Sequence, residues 1–147
     1  MKLFFLSATF VFLLDRITKY LALKSPYEVI EILPFLNFVK AWNKGIAFGI
    51  FHNSSEVFSL LLLVLTPIIL IFLFIFAKNA DNINRILFGA IFGGGLGNWI
   101  DRLSFGAVFD FIDLHIGNLH WPAFNIADLG ISLSLIVLFI RYVFKSS

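Results

Sequence analysis

The sequence predicts an α-helical integral membrane protein: four transmembrane helices with a small extracytoplasmic sheet and a short interfacial helix. Three observations lead there. The 147 residues are 60% hydrophobic and only 14% charged, with mean hydropathy +0.96, whereas a soluble domain is about a quarter charged. Four apolar runs are each close to the roughly 20 residues needed to cross a bilayer. The polar residues inside those runs fall at one end of the bundle. A single domain of this length cannot bury so much apolar surface by globular packing alone, so lipid is expected to be the solvent for most of it.

The first run is residues 3–23. Asp15, Arg16 and Lys19 interrupt it, and no A-x-A-like cleavage site follows, so a retained helix is expected here and not a cleaved signal peptide. Tyr27–Leu33 and Phe35–Trp42 alternate enough for two short strands split by Pro34. Asn43–Phe51, with Ile46, Phe48, Ile50 and Phe51, reads as a glycine-containing amphipathic turn or short helix lying on the membrane or over a cleft. The remaining spans are residues 57–77, 83–103 and 127–144. Gly89, Gly93 and Gly97 make overlapping GxxxG steps in the third, a close-packing signal without chemical content. No strand precedes these glycines and no Lys-Ser/Thr follows, which excludes a phosphate loop.

Four spans put both termini on one side. Lys2, Lys78, Arg85, Arg141 and Lys145 gather there, with Asp81 the only acidic residue among them. That bias makes the termini cytoplasmic, and residues 24–56 and 104–126 extracytoplasmic. Helices one and three then run outward and helix four inward. Asp15, Lys19, Asn98, Asp101, Arg102 and Asp128 all land in the outer half. Ionisable groups at such depth are costly and mark function by default.

Asp110 and Asp128 are the leading candidates. Splitting an amide with water needs a base for the water and an acid for the leaving amine, and two close carboxylates can share one proton. Each also has a structural reading: Asn125 as the N-cap of helix four with Asp128 as its third residue, and Asp110 as a solvated loop acid. On helix three, Asn98 shares a face with Asp101 and Arg102 and suits a polar brace; the competing reading is an interfacial anchor with Trp99 in the aromatic belt. Asp15 and Lys19, at i and i+4, can form an ion pair, while Arg16 points elsewhere, toward headgroups.

Other chemistry is poorly served. There is no cysteine and the net charge is +2, with the basic residues scattered, so neither thiolate chemistry nor a nucleic-acid partner is expected. His52, His115 and His120 lie in loops; His115 and His120 with Asp113 nearby make a metal site conceivable, but no H-E-x-x-H is present. Ser104 has no G-x-S-x-G context. A membrane binding or transport protein remains a rival, although helices two and four offer only Thr66, Ser132 and Ser134 to continue a polar path. No Gly-x-Gly-Asp occurs, which disfavours peptidases of the presenilin and prepilin type.

Five blocks, in order, resemble the lipoprotein signal peptidases (signal peptidase II). They are Asp15-Arg-Ile-Thr-Lys19, Asn43-Lys-Gly-Ile-Ala-Phe48, Gly97-Asn-Trp-Ile-Asp-Arg102, Val108-Phe-Asp-Phe111 and Phe124-Asn-Ile-Ala-Asp128. The resemblance implies four transmembrane helices, an extracytoplasmic β-cradle and a short periplasmic helix over the site. It implies an aspartic endopeptidase of the bacterial cytoplasmic (inner) membrane, with Asp110 and Asp128 catalytic. The supporting residues would be Asp15, Lys19, Asn43, Gly45, Asn98, Arg102 and Asn125, with Asp101 in support and not a second catalytic acid. It implies no metal and no cofactor. The implied substrate is a prolipoprotein carrying diacylglycerol on a cysteine, cut just before that cysteine. Sensitivity to globomycin-type inhibitors and action as a monomer also follow from the resemblance.

Overall fold

The computed structural model describes residues 1–45 and 55–145. Residues 46–51 of the amphipathic stretch, and with them the expected short helix, lie outside the described residues, as does His52. The order is α1 (Lys2–Lys24), β1 (Val29–Leu33), β2 (Leu36–Asn43), α2 (Ser55–Asn79), α3 (Asn82–Phe105), β3 (Val108–Ile116), β4 (Leu119–His120) and α4 (Ile126–Lys145). The four helices match the four apolar runs to within a few residues at each end. Two of them, Val57–Asn79 and Ile126–Phe144, are long and apolar enough by composition to cross a membrane. In α1 and α3 the charged residues of the site dilute the apolar run.

Helix α3 is the hub, and its glycines are the reason. A Cβ at Gly89 or Gly93 would collide with the α1 backbone at the Phe4 and Ala8 carbonyl oxygens. A Cβ at Gly97 would sit 2.7 Å from Asp15 Oδ2, one at Gly94 2.8 Å from the Ala127 carbonyl oxygen of α4, and one at Gly95 2.9 Å from Leu70 of α2. Small residues therefore let three helices approach α3 from three sides. The close approach to α1 and α4 brings Asp15 and Ala127 against the C-terminal half of α3.

Pro67 sits inside α2. It has no N–H, so the Leu63 carbonyl four residues earlier loses its helical donor. Trp99 Nε1 of α3 donates to that carbonyl at 2.8 Å. In apolar surroundings an unpaired carbonyl is expensive, so Trp99 is a structural partner of the α2 backbone and more than a belt residue. At the opposite end of the bundle, Asp81 caps α3 by accepting from the Asn84 N–H at 2.9 Å. Arg141 of α4 reaches the same corner, donating to Asn84 Oδ1 at 3.0 Å and to Asp81 Oδ2 at 3.1 Å.

The strands form one antiparallel sheet in the order β1-β2-β3-β4. β1 and β2 are the hairpin expected around Pro34. β3 and β4 were not legible in residues 104–126. β3 pairs with β2 from Leu36↔Leu114 to Asn43↔Val108, with a register shift between Phe38 and Ala41. Gly106, with φ +71°, ends α3 in a left-handed cap and turns the chain directly into β3. After the β3–β4 hairpin the chain returns to β3, and Phe124 bridges to Ile112. That bridge sets the entry point of α4.

Candidate active site

Asp110 lies in mid-strand on β3, 1% exposed. The reading of it as a solvated loop acid is therefore corrected: strand pairing with Ala41 fixes its backbone and packing removes it from water. Its neighbours Phe109 and Phe111 have rings 6.2 Å apart, because alternate strand residues share a face. Asp110 is turned to the other face.

Asp128 lies in the first turn of α4. The Asn125 backbone N–H donates to Asp128 Oδ2 at 3.2 Å, and the Asp128 N–H donates to Asn125 Oδ1 at 2.9 Å. This reciprocal pair is a capping box. It satisfies helix-terminal donors and at the same time holds the carboxylate in place, as the structural reading of Asp128 expects.

Asn125 is fully buried, and its side-chain nitrogen does the other half of the work. Nδ2 donates to Asp110 Oδ1 at 2.7 Å, with the Phe109 carbonyl at 3.3 Å and Asn98 Oδ1 at 3.1 Å also in reach. One asparagine thus contacts both aspartates. Asn98 Nδ2 donates to Asp128 Oδ1 at 2.7 Å, and its own Oδ1 accepts from Lys19 Nζ at 2.9 Å. Asn98 thus links Asp128 to Lys19. Arg102 is half-buried beside them, and its charge acts on Asp128, Asp110 and Asp101.

Burial, followed by the neighbouring Asp128 charge, pushes the Asp110 carboxyl from its ordinary 3.8 up to about 7, against hydrogen bonds from Asn43 and Asn125 that lower it. Asn43 Oδ1 accepts from the Gly45 N–H at 2.7 Å, which leaves its Nδ2 to serve Asp110. Gly45 has φ +101°, and a Cβ there would sit 2.8 Å from Leu62 and 2.9 Å from Phe58 of α2. Both the backbone conformation and the space demand glycine.

Behind the two aspartates lies an ionic cluster in which Asp15, Lys19 and Asp101 are buried and Arg16 is partly exposed. Lys19 Nζ contacts Asp15 Oδ2 at 3.0 Å and Asp101 Oδ2 at 2.7 Å. Arg16 Nη2 contacts Asp101 Oδ1 at 2.6 Å and Asp15 Oδ2 at 3.1 Å. The expectation that Arg16 points away to headgroups is overturned. Its Cβ is off the Asp15–Lys19 face, but the long side chain curls back to the carboxylates. Among the site residues, Arg16 is the one that sequence reasoning missed; its place between Asp15 and Lys19 was the available signal.

The histidines do something different. His120 Nδ1 lies 2.9 Å from Asp113 Oδ1, and the His115 and His120 rings stack at 4.9 Å. Asp113 also accepts from Asn37 Nδ2 at 3.0 Å, so the group ties β2, β3 and β4 together. Among the described residues no set of three or more His, Cys, Asp or Glu is placed to hold a metal ion.

A groove of about 360 Å³ opens between α2, α3 and α4. Leu70, Leu73, Ile131 and Leu135 line it, and Asn98 and Arg102 stand among its lining residues.

The family model for signal peptidase (SPase) II matches residues 7–144. The chain is 49% identical over 139 residues to the lipoprotein signal peptidase of Aquifex aeolicus (strain VF5), covering 93% of this chain and 83% of that protein. It is 44% identical over 134 residues to the lipoprotein signal peptidase of Thermodesulfovibrio yellowstonii, covering 90% and 88%. A bacterial membrane enzyme solved by the in meso method at 2.3 Å superimposes with a TM-score of 0.80 at 32% identity, covering 100% of this chain and 91% of that one. A second, solved at 1.9 Å, also gives 0.80, at 34% identity, covering 97% and 93%. The chain therefore belongs to the signal peptidase II family, the lipoprotein signal peptidases, which are membrane proteases.

Proposed function

We propose that this chain is an aspartic endopeptidase that removes the signal peptide from diacylglyceryl-modified prolipoproteins, cutting just before the lipidated cysteine, with Asp110 and Asp128 as its dyad. The observation that carries the reading is the double engagement of Asn125, which donates to Asp110 and caps helix α4 reciprocally with Asp128. A buried asparagine so placed sets the spacing of two carboxyls that share a proton.

The chemistry balances within the dyad. In this reading the shared proton starts on Asp110, whose carboxyl is pushed up to about 7, and Asp128 acts as the base. Asp128 takes a proton from water as its oxygen attacks the scissile carbonyl carbon, while Asp110 donates to the carbonyl oxygen. Collapse of the tetrahedral intermediate breaks the C–N bond. The proton held by Asp128 passes to the leaving nitrogen and Asp110 recovers its own. The products are the signal peptide with a carboxylic acid terminus and the lipidated cysteine with a free amine, which then exchange a proton in water. Arg102 and Asn43 position the substrate backbone and the dyad.

All four helices span the bilayer in this reading. The termini face the cytoplasm and the site lies at the outer face of the bacterial inner membrane. The acyl chains hold the lipidated cysteine at that depth, and the apolar groove between α2, α3 and α4 takes hydrocarbon from the substrate. Burying hydrocarbon contributes about 0.8 kcal/mol per CH₂ to substrate affinity. The protein acts as a monomer, and globomycin-type inhibitors compete for the site.

Gel-shift cleavage of a diacylglyceryl-modified precursor by detergent-purified protein tests the proposal, with wild type beside Asp110→Asn and Asp128→Asn. Cleavage by wild type alone is expected. Cleavage by all three would move catalysis elsewhere. No cleavage by a folded wild type would favour a binding or transport protein.

A further inference from the structure

The buried cluster behind the dyad has two outputs. Asp15 Oδ1 accepts from the backbone N–H of Ala127 at 3.1 Å. Asp101 Oδ2 accepts from the backbone N–H of Phe109 at 3.3 Å. Ala127 is the residue immediately before Asp128, and Phe109 the residue immediately before Asp110. Each carboxylate of the cluster therefore grips the main chain one residue from a dyad aspartate. Left alone, Asp15 on α1 and Asp101 on α3 would repel each other. Two cations, Arg16 and Lys19, bridge them. The set of two carboxylates and two cations is formally neutral, which is the condition for keeping it buried.

We propose that Arg16 is a positioning residue: with Lys19 it ties Asp15 to Asp101, and this bridge sets the distance between the main-chain segments that carry Asp128 and Asp110. The inference rests on the dyad reading above. Arg16 is suited to the role because a single nitrogen, Nη2, meets both carboxylates, at 3.1 and 2.6 Å. Lys19 cannot replace it, because Nζ already serves Asp15, Asp101 and Asn98. Without Arg16 one cation faces two buried carboxylates. Asp15 and Asp101 then move apart, and the dyad opens. Misplacement by about 1 Å can cost a reaction on the order of a hundredfold. The effect belongs to the chemical step, because the guanidinium is engaged by the two carboxylates.

The test is steady-state cleavage of a diacylglyceryl-modified precursor by the full chain in detergent, normalised to the folded fraction. Arg16→Gln, Arg16→Lys and Arg16→Gln with Asp101→Asn are compared with wild type, and Asp110→Asn serves as the dyad control. Arg16→Gln is expected to lower kcat about tenfold or more with KM unchanged, and Arg16→Lys to restore most of the loss. A kcat for Arg16→Gln within about twofold of wild type overturns the proposal, as does a raised KM at unchanged kcat, which would place Arg16 on substrate or lipid. If Arg16→Gln does not fold, the double variant decides: recovery of folding by Asp101→Asn, which removes the unbalanced charge, supports the bridge, and a double variant that also fails to fold overturns it. Activity in Asp110→Asn would refute the dyad; a dead Asp110→Asn beside a fully active Arg16→Gln would refute the bridge alone.

Discussion

Asn125 Nδ2 donates to Asp110 Oδ1 at 2.7 Å, across 15 residues of sequence and between a strand and a helix N-terminus. The same residue closes the capping box with Asp128. Its role in stability and its role in the site can be separated by substitution.

Asn125→Ala removes the cap and the Asp110 contact together. Loss of an N-cap costs about 1 kcal/mol, and an expected melting shift of a few degrees accompanies loss of cleavage. Asn125→Asp keeps a good capping oxygen but places a third carboxylate beside the dyad. It should melt closer to wild type than the alanine variant and still fail to cleave. Thermal melts paired with the gel-shift assay check both.

The raised Asp110 carboxyl makes a pH prediction. Its folded value of about 7 lies above its ordinary 3.8, so between those values the folded state binds more protons than the unfolded state. Stability must then fall as pH rises through that window. Asp110→Asn removes the penalty. The variant should melt higher than wild type at pH 8, by up to a few kcal/mol in stability, with the difference vanishing near pH 4. Wild-type cleavage should decline above pH about 7 as the dyad loses its shared proton. Melting curves of both proteins at the two pH values, with a pH–rate profile of wild type, test the sign. A variant less stable than wild type at pH 8 would refute it.

Trp99→Phe keeps an aromatic ring, though a smaller one, and deletes the donor to the Leu63 carbonyl. A carbonyl left unpaired costs about 1–3 kcal/mol. Adding Pro67→Ala supplies the missing helical N–H, so the double variant should recover the hydrogen-bond part of the loss and leave the packing part. A double-mutant cycle on melting temperature reads the coupling; additive losses would mean that the Trp99 contact is not a response to the proline.

Gly93→Ala pushes a methyl group into the Ala8 backbone, which has no rotamer to escape with. It should cost more than Gly106→Ala, where a Cβ meets nothing within 4 Å and only the left-handed φ of +71° is strained. The expected loss at Gly93 is about 1–3 kcal/mol, with overpacking as its cause. Cleavage should fall too, because the same contact holds α1 and its Asp15 against α3. Equal melting of the two variants would refute this packing account.

By itself the sequence determined what depends on a few neighbouring residues. Apolar runs located the four helices, and alternation around Pro34 located the first hairpin. The spacing of Asn125 and Asp128 anticipated a capping box, that of Asp15 and Lys19 an ion pair, and that of Gly89, Gly93 and Gly97 a close helix contact. Each is a pattern repeated within one element, where backbone geometry fixes which side chains meet. The tertiary structure alone decided the rest. β3 has an apolar, mixed pattern that becomes a strand only because β2 offers a partner. Asp110 is buried because Phe124 bridges back to Ile112 and brings Asn125 with it. Arg16 reaches Asp101 across 85 residues, a meeting arranged by glycine contacts between α1 and α3 that no local spacing of Arg16 contains. Contacts within a turn are set by helical and strand geometry; contacts between distant segments are set by how the helices pack, and that packing placed the two aspartates together.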